Sequence, residues 1–509
     1  MSLVRALLIT IAFAHVAASA AQFVTYEAFG AVGDGVADDL PAIQKAHAHA
    51  NQHGLPVRSD PDAVHHLGRR ALTVAIATNT DWSTTRFIID DSQGVEDNRR
   101  SIFQVRSLLD PIPLEIARLT RDQPRLDIRP PVDGLVFVEN QNRRIFIRRG
   151  GNQNSGTPQR EVFILRRDGT IDGGIDWDYE AVTRVEARPI DPVPLTIRGG
   201  IFTNIANRMR HECEHGRSNY WSRNLRVERS NTIIDGLTHR VTGETDVGQP
   251  YAGFLYASMA ANVTFRNCTV DARKVYQKIG TGGTPVAMGT YGYQASLVVN
   301  FRMTNCRMGN DIHDRSLWGI AGTNFMKNIL VEDSELSRMD VHQGVSGVYI
   351  IRNTTLGHAG LNAIGRGRLI VENSAIHANR FISFRQDYGS TWDGEVIIRN
   401  SRWLPTSDGR HAMIHMRNDG AHDFGYPCHM PRVIDIDGLF VDDSKIPRSQ
   451  LTIFNDPTGP SSADRPFPYR LGERLKLRNI TTASDRQMEF GGNEELADAM
   501  EVLTDRSTP

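Results

Sequence analysis

The sequence predicts an all-β chain wound as a right-handed parallel β-helix with an N-terminal capping helix. Three observations predict it: a repeated strand-and-corner pattern, many glycines among short β-branched runs, and a length that one core cannot fill. The repeat is clearest in segments 263–268, 301–306, 329–334, 348–354, 369–374 and 396–401. Each is a short alternating strand that ends in Asn267, Asn305, Asp333, Asn353, Asn373 or Asn400 and then a small residue. The steps between these corners are 38, 28, 20, 20 and 27 residues. A common step near 20 with insertions fits solenoid coils with loops of varying length. Propeller repeats, at about 40–50 residues, are too long for it. The 44 glycines favour short strands and tight turns over long helices. A single core rarely grows beyond about 250–300 residues, and this chain has 509.

The physical logic of the pattern follows. Each coil leaves strand edges that only the next coil satisfies. Ile351, Val371 and Ile398 fall at one register and are expected as an inward aliphatic ladder. The corner Asn and Asp residues tolerate turn backbone and can bond the adjacent coil, so they read as structural.

The amino end, 1–20, reads as a signal peptide: Arg5, an apolar run, then Ala18-Ser19-Ala20 as a cleavage site. The run is too short for a stable membrane span, which needs about 20 residues. The mature chain is therefore expected to be secreted or periplasmic, without a membrane partner. Net charge is −1, so no global basic field points to nucleic acid. Segment 21–72 is expected to hold the cap and first coils, and 73–188 opening coils with an irregular excursion. Within that excursion, 143–149 and 161–167 alternate like a hairpin that walls one side of a groove. The main solenoid is placed at 189–488, and 489–509 as a helical, charged cap or tail.

Segment 29–44, Phe29-Gly-Ala-Val-Gly-Asp-Gly-Val-Ala-Asp-Asp-Leu-Pro-Ala-Ile-Gln44, is followed by a helical stretch over 45–52. Gly30, Gly33 and Gly35 permit a tight loop, Asp38 or Asp39 can cap the helix, and 42–50 supplies an apolar face. This segment resembles the opening of the pectate-lyase-like superfamily, in the branch with polygalacturonase relatives and phage tailspikes. The resemblance implies a parallel β-helix, and its superfamily hosts lyases, hydrolases, isomerases and non-catalytic adhesins. The polygalacturonase active-site pattern is absent, which argues against pectin as substrate. Asp34, Asp38 and Asp39 read as parts of the cap and not as catalytic groups.

A dense polar patch falls on consecutive coils. It holds His313, Asp314 and Trp318, then Asp340 and His342, then Asn362, then Arg385, Asp387, Tyr388 and Trp392. In register, Asp340, Asn362 and Ser383 share one column, and His342, Ile364 and Arg385 another. Asp340 and His342 differ by two and so share a strand face. Glycoside hydrolysis needs two carboxyls, about 5–5.5 Å apart for retention or 6.5–9.5 Å for inversion. Uronate elimination instead needs a cation on the carboxylate and a base for the C5 proton. The expected catalytic set is Asp314, Asp340, His342 and Asp387, with Asp314 and Asp340 as acid and base. Arg385, His313, Trp318, Asn362, Tyr388, Trp392 and Glu214 are expected to bind substrate.

His211, Glu212 and His215 match the H-E-x-x-H spacing, but strand repeats surround them and a zinc-protease helix does not fit. Glu214, Tyr220 and Trp221 read instead as a groove-side loop. No metal ligand set or cofactor is expected, although lyase chemistry admits a divalent cation. Of Cys213, Cys268, Cys306 and Cys428, the second and third share a register and are expected to be neighbours, within reach of a disulfide. Three functions remain open: cleavage of a polysaccharide by hydrolysis, which comes first, elimination on a uronate-containing glycan, and glycan binding without catalysis. Oligomeric state is not set by these residues.

Overall fold

A computed structural model describes residues 23–147, 155–209, 220–279, 285–288, 290–417, 424–456 and 469–504. Twenty-nine of the described strands join one sheet whose pairings are parallel, from Asp34–Asp38 through to Glu501–Thr504. This is the right-handed parallel β-helix of the sequence reading. Its core is a stack of identical registers. Ile197, Ile234, Phe265, Met303, Val331, Ile351, Val371, Ile398, Ile436 and Leu477 pair successively. Ile351, Val371 and Ile398 have no exposed surface, as the predicted ladder requires.

The corners behave as expected. Asn267, Asn305, Asp333, Asn353, Asn373 and Asn400 all have φ between 45° and 55°, the left-handed region that Asn and Asp tolerate best after glycine. Their side chains bond from coil to coil: Asn305 Nδ2 donates to Asn267 Oδ1 at 2.8 Å and Asn353 Nδ2 to Asp333 Oδ1 at 3.1 Å. The small residue that follows each corner forms a second ladder inside. The Thr354 amide donates to Ser374 Oγ at 3.1 Å, and the Ser374 amide to Ser401 Oγ at 3.2 Å. Cys268 and Cys306 occupy this row as buried free thiols. Their following residues, Thr269 and Arg307, pair directly, so the cysteines are neighbours as predicted, without a bond.

The capping helix spans Leu40–His53, starting five residues before Lys45, because Pro41 sits in its first turn where no donor is needed. Asp38 Oδ1 accepts the Leu40 amide at 3.2 Å. Asp39 turns the other way: its carboxylate accepts the Val32 and Gly33 amides and a 2.7 Å bond from His65 Nδ1, closing the glycine loop. On the inner face Gln44 and Asn51 donate to the Thr73 and Ala75 carbonyls, satisfying an open strand edge. At the other end Asn493 caps a short helix, Glu494–Ala499, and Glu501–Thr504 adds one more parallel strand. The coil ladder therefore continues past residue 489.

The excursion is a four-stranded antiparallel sheet of Gly134–Ile145, Thr157–Leu165, Ile171–Asp172 and Arg184–Pro189. The expected hairpin exists, but its first strand lies earlier than 143–149: Leu135 pairs with Ile164 and Phe137 with Val162. The side chains Leu135, Phe137, Val162 and Ile164 pack on Ala261 and Val299 of the solenoid. Further along the same solenoid column come Lys327, Ser346, Arg366 and Asp393. Apolar residues glue the insert at one end of the column, and charges hold it at the other.

Candidate functional site

The strands Ile320–Asn324, Glu335–Val341, Thr355–Ala363 and Ile382–Phe384 form one face of the solenoid. Met339, Val341, Leu361 and Phe384 point inward and are buried, so the alternate positions face out. Asp340 emerges on this face as the hub of a charged cluster. Its Oδ1 accepts from Arg338 at 2.9 Å, Arg385 at 3.0 Å and Asn362 Nδ2 at 3.1 Å. Its Oδ2 lies 2.7 Å from His342 Nε2. Arg385 also reaches Asp387 through Nε and Nη2, at 3.0 and 2.7 Å. Asn362 pairs with Ser383, as the column assignment required.

Electrostatics divide the roles. Burial alone would raise the pKa of Asp340, but Arg338, His342 and Arg385 together hold it well below the ordinary carboxylate range. It is an ionised anchor, 1% exposed. Burial lowers the pKa of His342 below 6.5, and the Asp340 carboxylate offsets only part of that effect. The imidazole is therefore neutral at neutral pH. A carboxylate at Nε2 requires that nitrogen to carry the proton, which leaves the lone pair on Nδ1. The His342 side chain keeps 26% of its surface exposed. Arg338 has a buried Nε with no hydrogen-bond partner, and its guanidinium lies 5.4 Å from the Trp318 ring centre.

Seven of the predicted residues thus converge: Asp340, His342, Arg385, Asp387, Asn362, Tyr388 and Trp318. Tyr388 is buried, with Arg385 5.9 Å from its ring centre and the His342 ring 6.5 Å away, so it acts as a wall. Three do not join. The turn that carries Asp314 folds onto another corner, where the Ile312 carbonyl accepts the His358 amide. Asp314 spends its carboxylate on the amide and hydroxyl of Ser316, and His313 packs on His377, ring centres 4.7 Å apart. The length of that turn removes Asp314 and His313 from the hub. Trp392 has no exposed surface and is core, not a sugar platform. Glu214, with the rest of the H-E-x-x-H segment, lies outside the described residues. Trp221 is buried and donates to Gln249 Oε1 at 2.8 Å, so it does not offer a ring to a ligand.

Sequence reasoning left two hub residues out of the site. Arg338 belongs to the same polar segment and shares the Asp340 strand face at a spacing of two, but the sequence reading gives it no role. Tyr291 arrives from two coils away: it lies over Gly322, where an added Cβ would come within 2.5 Å of its ring. Burial raises the pKa of its phenol, with Tyr220 and Asp340 adding to the effect. Among the described residues no group of three or more His, Cys, Asp or Glu side chains is arranged to hold a metal ion.

A second concavity, lined by charged and apolar side chains, lies around the corner at Phe325, between the insert and the solenoid. It is a cleft of about 290 Å³. An ion-pair network ties its walls: Lys327 to Glu161 at 2.6 Å and Asp176 at 3.2 Å, Arg366 to Asp122 at 2.8 Å, and Arg121 to Asp393. The insert walls this cleft, and its residues Arg121, Glu161 and Asp176 escaped the sequence reading because they lie outside the coil repeat.

No family model matches the chain. A stretch of 94 residues is 29% identical to the capsule KL64-specific depolymerase of Klebsiella phage P510. That match covers 16% of this chain and 9% of the relative, so the chain corresponds to a small part of the relative's length. Among solved structures, tailspike gp49 from Pseudomonas phage LKA1 aligns with a TM-score of 0.48 at 13% identity, over 94% of this chain and 84% of that one. The Gp54 tailspike of Acinetobacter baumannii bacteriophage AP22, solved with a capsular saccharide, gives 0.47 at 10% identity over 96% and 76%.

Proposed function

We propose that this chain is an exported enzyme that cleaves an acidic polysaccharide by β-elimination at the Asp340 hub. The observation that carries the reading is the oriented His342: its Nε2 is held by an ionised, buried Asp340, its Nδ1 is left as a base, and the same carboxylate holds Arg338, whose Nε has no hydrogen-bond partner. Arg338 would pair with the substrate carboxylate and acidify the neighbouring C5–H. His342 would take the C5 proton. The C5–H electrons then form the C4–C5 double bond as the C4–O bond breaks, and the departing oxygen takes a proton from the Tyr291 phenol. Trp318 would pack on a sugar face. The partial match to a capsule depolymerase supports a polysaccharide as the substrate class.

Hydrolysis by paired carboxylates, the first expectation from sequence, has less support. Asp314 is not at the hub, Asp340 is locked in its ionised form, and Asp387 is paired with Arg385. The test is a panel of uronate-containing polysaccharides, among them alginate, polygalacturonate and capsular glycans. Elimination yields unsaturated ends that absorb in the ultraviolet. New reducing ends without that absorbance would mean hydrolysis, and neither product across the panel would favour a binding module.

A further inference from the structure

The cleft between insert and solenoid holds more cations than its own carboxylates use. Lys327, Arg366 and Arg121 are bound into the wall network, and Arg160 pairs with Glu139 at 3.0 Å. Arg143 of the insert and Arg470 of the strand Tyr469–Arg470 line the same space, and neither has a carboxylate partner among the described residues. The apolar lining includes four aromatic rings, Phe146, Trp177, Phe325 and Tyr426, beside Met326, Val345 and Pro427. Trp177, Phe146 and Tyr426 form a triangle of rings, with the Trp177 ring centre 6.4 and 6.0 Å from the other two, and Trp177 is partly exposed. A buried carboxylate oxygen, Glu161 Oε1, has no hydrogen-bond partner and also belongs to the lining.

We infer that this cleft is a second glycan site, which holds one acidic sugar residue. Aromatic rings pack on the apolar face of a pyranose, and unpaired guanidiniums bind a carboxylate in a two-pronged fashion. The volume suits about one or two sugar rings and not a long oligomer. The cleft also adjoins the hub: the Phe146 ring lies 6.3 Å from Tyr388, which in turn faces His342. A polysaccharide that reaches from one to the other would be held by charge at the cleft and cut at the hub. The binding site itself stands on the cleft residues alone. Only its service to cleavage rests on the elimination reading.

The test is equilibrium binding, which does not depend on turnover. Full-length protein carrying His342→Gln is titrated with alginate and polygalacturonate oligosaccharides and with neutral cello-oligosaccharides of equal length. The acidic probes should bind at least tenfold more tightly, with affinity that falls as salt rises. Arg143→Gln with Arg470→Gln should erase that preference and leave the neutral probe unchanged, whereas Trp177→Ala should weaken both. A crystal of the complex would place the ring on Trp177. Equal affinity for acidic and neutral probes, or a double variant that keeps the preference, would overturn the site. Should the acidic preference persist while no unsaturated product forms on any substrate, the cleft stands and the elimination reading fails.

Discussion

Two rows of polar side chains run up this molecule, and they teach opposite lessons. The corner row of Asn267, Asn305, Asp333 and Asn353 repeats one arrangement coil after coil, with Asn305 bonded to Asn267, Asn353 bonded to Asp333, and each backbone at positive φ. The outer face at Asp340 repeats nothing. Gly322, Asp340, Asn362 and Ser383 share a column with four different chemistries, and the Asp340 carboxylate gathers an imidazole and two guanidiniums, one of them from two coils away. Regular polarity closes backbone hydrogen bonds and stabilises the coil. Irregular polarity concentrates charge where the coil gains nothing from it.

Substitutions can break or sharpen that contrast. The largest effect is expected at His342. His342→Gln keeps shape and removes the base, so turnover on the correct glycan should fall by about 10²–10⁴-fold while thermal unfolding changes little. In the parent protein the acid limb of the rate profile should lie below pH 6.5, because burial makes His342 harder to protonate. Asp340→Ala should cost both activity and stability. It strands Arg338 and Arg385 without their shared carboxylate, a loss of about 3–5 kcal/mol by denaturant titration. A fully stable Asp340→Ala variant would mean that the hub charges are solvated and not held.

The corner row should answer differently. Asn353→Ala should lose about 1–2 kcal/mol, from a strained left-handed backbone and a missing ladder bond, with turnover unchanged. Asn353→Gly should lose less, since glycine adopts that φ freely. A corner variant with intact stability but reduced turnover would erase the distinction between the rows.

A pH-dependent effect concerns the insert. Burial, reinforced by Asp176, raises the pKa of Glu161 from 4.5 to about 7. The folded chain therefore keeps a proton that the unfolded chain releases between those values. Stability should fall as pH rises from 4.5 toward 7. Glu161→Gln should flatten that slope, measured by urea unfolding across the range. An unchanged slope would place the titration elsewhere.

The coil architecture was legible because it repeats. A period near 20, Asn at the corner and an aliphatic register such as Ile351, Val371 and Ile398 are signals a single sequence carries. The Asp340, Asn362 and Ser383 column was legible for the same reason, since register converts sequence spacing into spatial proximity. Asp314 failed because an extra-long turn breaks register, and loop length does not say where a loop folds. Trp392 failed because strand alternation alone did not decide which face was core. The cleft was illegible because Glu161, Asp176 and Arg121 reach it from an insertion outside the repeat, so no spacing rule connects them to Lys327 or Asp393.

The central claim, that His342 removes the C5 proton, is tested most directly on a uronate polysaccharide deuterated at C5. The account predicts that each cleavage loses one deuterium and that the chemical step, followed in single turnovers, is slower than with the protiated polymer. Cleavage that leaves every C5 deuterium in the products would contradict it.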